Sequence, residues 1–281
     1  GEPLAPRGVY YWSVKTWCRL GGESSWSTPQ KFTMASEIDG YRTSRYPLRQ
    51  IEVAPKRVAV KGPGHYFVDF GKVAFGHVRL NMPRPTMPVE VHLGERGDDQ
   101  GINRTPGGSV RYYRVVLDVN DWPAEGCKVD VRPPKDERNT SGEAVRLPDE
   151  IGVIAPFRYV EIVGSPTKFD ASMIRQVAVF YPFDETASRF ESSDQILNDV
   201  WDLCKYTMKA TSFAGVYADG DRERIPYEGD SYIHQLSHYS VDREYSLARY
   251  SHEYLLRNPT WPTEWKQHSV LMAWADYMYT G

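Results

Sequence analysis

Between Val9 and Tyr181 the apolar positions fall into short runs rich in β-branched and aromatic residues, and after Pro182 their spacing changes to that of helices. Residues 9–17 form one such run, Gly21-Gly22 supplies a turn, and residues 30–34 form a second extended segment, which predicts strands. Two or three strands cannot bury both faces by themselves. Residues 1–35 therefore read as the end of a β-sandwich, or as strands that dock on the next domain. From residue 36 to about 186 the runs at 65–70, 75–81, 89–93, 110–117, 157–163 and 174–181 are each bounded by Gly, Pro, Asn or Asp. Such runs with no helical stretch between them predict an antiparallel β-sandwich. The polar, Pro- and Asp-rich segment 118–150 reads mostly as long loop.

Ile196, Leu197, Val200, Leu203, Cys204 and Met208 recur at helical spacing, and Ser192-Ser193-Asp194-Gln195 supplies an S-x-x-Q capping box just before them. Further helices are predicted over 230–239, over 242–256 through Tyr245, Ala248 and Leu255, and over 267–279 through Val270, Leu271, Trp274 and Met278. Their short connections make antiparallel hairpins the natural arrangement. The last helix stays apolar and aromatic through Trp274, Tyr277 and Tyr279, so the native polypeptide is expected to continue past Gly281.

Composition narrows the partners. With 41% hydrophobic residues and a net charge of −3, from 34 Lys+Arg against 37 Asp+Glu, the chain can bury a core and is not disordered. The balance lacks the basic footprint of a nucleic-acid binder. No run approaches the ~18 apolar residues that a membrane-spanning helix needs. Cys18, Cys127 and Cys204 lie far apart, so neither a zinc site nor a disulfide framework is signalled, and no other cofactor is implied. Aromatic residues make up 13% of the chain, and rings with polar edges suit stacking on sugars, although packing is the commoner use of any single ring.

The chemistry concentrates in the loop Ala218-Asp219-Gly220-Asp221-Arg222-Glu223-Arg224-Ile225-Pro226-Tyr227-Glu228-Gly229-Asp230. Carboxylates this close repel one another unless they are paired or used. Gly220 and Gly229 allow special backbone geometry and Asp230 can cap the following helix, so the loop is expected to be ordered. Three readings compete. A solvated acidic loop is the bland one. A calcium loop is the second, with Asp219, Asp221, Glu223 and Asp230 on EF-hand ligand positions, but Arg224 stands where that turn needs glycine. Glycoside hydrolysis is the third. It needs one carboxylic acid to protonate the leaving oxygen and a second carboxylate to activate water or attack the anomeric carbon. Burial and like-charged neighbours can raise the pKa of such an acid.

Glu223-Arg224-Ile225-Pro226-Tyr227-Glu228-Gly229-Asp230 resembles the E-R-x-x-W-x-G-D segment that opens the (α/α)6 catalytic domain of the α-L-rhamnosidases of glycoside hydrolase family 78, with Asp219 similar to its leading Asp. The segment Pro262-Thr263-Glu264-Trp265 through Trp274 to Gly281 is similar to that family's second hairpin. Tyr227 replaces the usual Trp, Lys266-Gln267 stand where Gly-Asp is common, and the spacing from Asp219 to the acid is shorter.

The resemblance implies residues 1–35 as the end of a fibronectin-III-like sandwich, 36–186 as a β-sandwich domain and 187–281 as the start of the (α/α)6 toroid. It implies an inverting enzyme that releases terminal α-L-rhamnose from an oligosaccharide or polysaccharide, secreted or periplasmic. Glu223 would be its general acid, held in a dry recess, and its base would lie beyond residue 281. Asp219, Arg224 and Asp230 would contact the sugar hydroxyls, Tyr227 and Trp265 would wall the site, and Glu264 would either join it or serve as a charge at a helix N-terminus. A non-catalytic carbohydrate-binding protein and another (α/α)6 glycosidase or lyase remain as alternatives. His234 and His238, four residues apart on a helix, could bind a metal but read as core or hydrogen-bonding groups, with no metal site completed. Trp201 and Trp274 read as core.

Overall fold

A computed structural model describes residues 4–17, 21–34, 43–123, 128–134, 144–165 and 168–281. Cys18 and Cys127 lie outside the described residues, as do parts of the long polar loop over 118–150. The chain divides into two compact units, Gly1–Ser44 and Arg45–Gly281.

In the first unit, β1 (Val9–Trp12) pairs antiparallel with β2 (Gln30–Thr33), with Val9 opposite Thr33. Ser24 and Ser27 donate backbone N–H groups back to Thr16 and Val14, which extends the pairing toward the glycine turn.

In the second unit the sandwich strands are β3 (Arg49–Val53), β4 (Arg57–Gly62), β5 (His65–Leu80), β6 (Val89–Gly94), β7 (Gly97–Asp98), β8 (Gly101–Ile102), β9 (Tyr112–Leu117), β10 (Val129–Val131), β11 (Ala155–Val163) and β12 (Ile174–Phe180). Among the described residues, β7 and β8 form a small ribbon and the others form one eight-stranded antiparallel network in the order β3-β12-β5-β11-β6-β9, with β4 and β10 also on β5.

The two runs expected at 65–70 and 75–81 are one strand, β5, with a fold in its middle. Its partner β11 passes from Phe157 opposite Ala74 to Tyr159 opposite Asp69, so residues 70–73 of β5 have no counterpart. Gly71 sits in that bulge with φ +88°, a conformation that side chains other than glycine rarely adopt. The bend lets one strand pair with β4 through its first half and with β10 and β12 through its second. Val68, Phe70, Val78, Leu80, Val91, Leu93, Phe157, Val160 and Ile162 then meet in a single core.

At Gly76 three strands approach closely, and a β-carbon there would lie 2.1 Å from the Val177 carbonyl oxygen. Gly76→Ala is expected to cost about 3 kcal/mol, because the obstacle is backbone and cannot rotate away. Urea denaturation of the two proteins measures this, and an unchanged midpoint would contradict the packing.

The helices are α1 (Gln195–Ala210), α2 (Glu228–Val241), α3 (Ser246–Arg257) and α4 (His268–Thr280). The cap of α1 is Asp194, not Ser192: its carboxylate accepts from the Ile196 N–H at 2.9 Å, while Ser192 exchanges hydrogen bonds with the Asn198 amide. Asp230 is likewise not a cap. The helix begins two residues earlier, with Tyr227 as its flanking residue, and Asp230 lies in the first turn.

Tyr181, Met208, Tyr217, Tyr239, Val241, Leu247 and Ala248 form the helical core. Phe213 stacks on Phe75 at 3.7 Å between ring centres, and the Tyr206 hydroxyl donates to the Val73 carbonyl at 2.7 Å, which ties helices to sheet. The apolar stripe of α1 through Ile196, Val200 and Leu203 is exposed, and so is that of α4 through Val270 and Met278. Trp274, expected in the core, is 59% exposed, because no described element packs over that face of α4. Trp201 is half-buried and stacks on Phe190.

Candidate active site

Loop 219–227 runs from the helical core to the start of α2, and three features define its course. The Asp219 N–H donates to the Ile225 carbonyl at 3.0 Å and closes the turn. Two residues take left-handed backbone, Gly220 at φ +102° and Arg224 at φ +59°. The second is uncommon for a residue with a β-carbon and persists only where its surroundings enforce it. The third tie is electrostatic: Asp221 is paired with both Arg111 and Arg224.

Arg224 is 2% exposed. Its Nε and Nη2 donate to Asp221 Oδ1 at 3.0 and 2.5 Å, and Nη2 also reaches the Ile154 carbonyl at 3.0 Å. Its guanidinium lies 5.4 and 5.6 Å from the ring centres of Phe75 and Phe213. The resemblance implied a sugar contact for this residue. These internal partners hold its guanidinium and join the loop to the sheet.

Glu223 is not in a dry recess. Its side chain is 39% exposed, its Oε2 accepts from the Tyr227 hydroxyl at 2.5 Å, and Arg222 lies 3.5 Å from its Oε1. Tyr227 is buried, and its hydroxyl is pushed up to about 12 by burial and by the hydrogen bond to Glu223, so it stays a donor at any physiological pH. The Tyr227 ring meets Trp265 edge-on at 5.7 Å and 85°. The Trp265 indole in turn lies over Gly229, where a β-carbon would touch it at 3.4 Å, so the G of the motif seats this ring. Glu223, Tyr227 and Trp265 therefore form one contiguous group, and Asp230 follows one turn into α2.

The desolvated carboxyl of the loop belongs to Asp219. Its side chain is 7% exposed, and its Oδ1 is buried without a hydrogen-bond partner among the described residues. Burial raises its pKa and the Glu223 charge raises it further, while backbone N–H groups and Arg222 pull the other way. Glu264 is exposed in the short 3₁₀ turn Thr263–Gln267 that carries Trp265.

Two further carboxyls withdrawn from water were not legible in the motif. Glu228 is fully buried and accepts from the Thr260 N–H at 3.0 Å and from the Thr260 hydroxyl, which anchors the start of α2 to the segment carrying Trp261 and Trp265. Glu95, beside the end of β6, accepts from the Arg111 N–H at 2.6 Å. Its carboxyl is pushed up to about 7, chiefly by burial. The folded protein thus keeps this proton through a range in which the unfolded chain has released it, so stability falls as pH rises from about 4.5 to about 7. Glu95→Gln is expected to stabilise the fold by roughly 2 kcal/mol at pH 8, allowing for partial solvent access, and to be neutral at pH 4. Chemical denaturation at the two pH values measures it, and an equal effect at both would contradict the assignment.

His238 is a core residue, bonded to the Tyr217 hydroxyl at 2.7 Å and to Asp242 at 3.4 Å. His234 lies edge-on to Tyr217, and burial lowers its pKa. Among the described residues no group of three or more His, Cys, Asp or Glu side chains could hold a metal, and no helix is long and apolar enough to cross a membrane. A cavity of about 240 Å³ beside the loop is lined by Ile225, Pro226, Tyr254, Asn258, Pro259 and Thr260, and by none of the sequence-predicted site residues.

The acidic and aromatic loop therefore lies where a β-sheet domain leads into helical hairpins. Residues 185–281 match the family model of the bacterial α-L-rhamnosidase six-hairpin glycosidase domain, and residues 1–36 match that of the Rha78A-like N-terminal immunoglobulin domain. An α-L-rhamnosidase of Formosa agariphila is 25% identical over 248 residues, covering 86% of this chain and 24% of its own length. Two solved structures share the fold. The α-L-rhamnosidase of Streptomyces avermitilis complexed with L-rhamnose has a TM-score of 0.58 and 17% identity over 90% of this chain and 24% of its own. The family 78 rhamnosidase of Bacillus sp. GL1 has a TM-score of 0.54 and 17% identity over 79% and 22%. Over residues 185–281 and 1–36 the chain is thus similar to domains of the bacterial α-L-rhamnosidases. It spans about a quarter of the length of the relatives it matches.

Proposed function

We propose that this chain is part of an inverting α-L-rhamnosidase in which Glu223 is the general acid. The observation that carries the reading is the contiguous group of Glu223, Tyr227 and Trp265 within a segment that matches the rhamnosidase domain. A half-exposed carboxyl beside aromatic walls can reach a glycosidic oxygen, with Tyr227 holding its Oε2 and the exposed Arg222 beside its Oε1. Glu223 protonates the departing oxygen while water attacks the anomeric carbon from the opposite face. Asp219, Asp230 and Glu264 line the approach as acceptors for sugar hydroxyls, and Trp265 stacks on the apolar face of the ring. The water-activating carboxyl comes from the remainder of the enzyme. The substrate is a terminal rhamnose on an oligosaccharide or polysaccharide, which places the enzyme outside the cytoplasm.

Hydrolysis of an aryl α-L-rhamnoside by the full-length protein, followed by proton NMR of the newly released sugar, tests this. The β-anomer should appear first, and first appearance of the α-anomer would contradict inversion. One observation favours a second reading, in which Asp219 holds the catalytic proton: it, not Glu223, is the carboxyl removed from water. On that reading Asp219→Asn, and not Glu223→Gln, abolishes turnover of substrates with poor leaving groups.

A further inference from the structure

The sandwich reaches the proposed acid without touching substrate. We infer that Arg111, immediately before β9, is a positioning residue for Glu223: it holds Asp221, and with it the loop that presents the carboxyl. The inference rests on the reading of Glu223 as the general acid.

The geometry is that of a clamp with two jaws. Arg111 Nε donates to Asp221 Oδ2, and its Nη2 lies 3.4 Å from the Asp221 carbonyl oxygen, so this one side chain grips both the carboxylate and the backbone of the loop. Arg224 holds the other oxygen, Oδ1, from within the loop. Glu223 lies, with Arg222, between the gripped Asp221 and the buried Arg224, so the short backbone segment that carries it is fixed at both ends. The anchor on the sheet is equally firm. The Arg111 N–H donates to Glu95 Oε1 at 2.6 Å and the Glu95 N–H donates to the Arg111 carbonyl at 3.2 Å, continuing the β6–β9 ladder by one residue pair.

The pair is built into the protein and is not a surface accident. Asp221 is 7% and Arg111 19% exposed in their side chains, where charge-assisted bonds are short and weakly screened. The loop needs such a grip, because Arg224 stands in left-handed backbone at φ +59°. The Val145 N–H adds a further bond to the Arg224 carbonyl at 3.0 Å, again from the sandwich side of the chain. Without Arg111 the loop retains its internal Asp221–Arg224 pair but loses its tie to β9, and the Glu223 carboxyl is free to move relative to Tyr227 and Trp265. Displacement of a catalytic group by about 1 Å can cost on the order of a hundredfold in rate.

The test is a mutant cycle in the full-length protein with an aryl α-L-rhamnoside. Arg111→Met is expected to lower kcat by about 10- to 100-fold with KM changed by less than about threefold. Arg111→Lys, which keeps the charge but cannot grip two points with a planar fork, should recover part of the loss. Combined with Glu223→Gln, Arg111→Met should add nothing further, because the two act through one group. Additive losses, or a loss carried by KM alone, would overturn the inference. If the wild-type protein does not hydrolyse the rhamnoside, the proposed function fails, and hydrogen exchange of residues 219–227 decides the clamp by itself. Exchange there should be faster in Arg111→Met and Arg111→Lys than in wild type, and unchanged in Arg114→Ala, which removes an exposed pair between β9 and Glu90 of β6. Equal exchange in all four proteins would overturn the clamp. Should Arg111→Met fail to fold, Arg111→Lys carries both measurements.

Discussion

On the proposed function, Glu223→Gln is expected to lower kcat for a rhamnoside with a poor leaving group by about a thousandfold and to leave KM within a few-fold. The magnitude is that of removing a general acid, typically 10²- to 10⁴-fold. Gln keeps the size of the side chain and can still accept from the Tyr227 hydroxyl, so the group of Glu223, Tyr227 and Trp265 stays assembled. What is lost is the proton. The deficit should therefore shrink as the leaving group becomes more acidic, because a dinitrophenolate departs without help. A series of aryl rhamnosides with leaving groups of graded pKa separates this from a binding defect. A loss of equal size across the series would assign Glu223 to binding.

Arg224→Met is expected to destabilise the chain by about 3–5 kcal/mol, the usual cost of removing one partner from a buried ion pair. Methionine fills most of the volume over Phe75 and Phe213 and meets the same left-handed backbone as Arg224, so the substitution isolates the guanidinium. Asp221 then loses Arg224 while keeping Arg111, and the Ile154 carbonyl loses that donor. For a chain of this size the melting temperature should fall by roughly 10 °C. Arg224→Lys should rescue little, since an ammonium cannot reach Asp221 and the Ile154 carbonyl while lying flat against two rings. Thermal unfolding followed by circular dichroism measures both variants, and a shift of only a degree or two would show the network to be dispensable.

The order of the fold could be read from the chain because period carries it. Short β-branched and aromatic runs bounded by turn residues predicted the sandwich and 3.6-residue spacing predicted the helices, and an antiparallel sheet followed by helical hairpins is what the structure contains. The bend in β5 could not be read that way, since Gly71 looks like the end of a strand when it is the hinge within one. Apolar stripes on α1 and α4 were legible as stripes, but a stripe does not say what covers it, and Trp274 is exposed for that reason.

In the site, the motif located Glu223, Tyr227 and Trp265, and the structure places them in contact. The crowding of carboxylates and arginines predicted pairing without showing the partners. Arg111 stands 110 positions before Asp221, and no local pattern links them. Burial is the other quantity a motif does not contain. The carboxyl withdrawn from water is Asp219 and not Glu223, because Asp219 sits where the loop leaves the helical core whereas Glu223 points past Tyr227 toward solvent.

The central claim is that loop 219–230 forms the wall of a rhamnose site with Glu223 at its reacting end. A crystal structure of the full-length protein carrying Glu223→Gln, soaked with a rhamnoside, tests this most directly. The sugar should stack on Trp265 with its glycosidic oxygen within hydrogen-bond distance of the residue 223 side chain. A rhamnoside bound at saturation elsewhere, with this loop facing empty solvent, would contradict it.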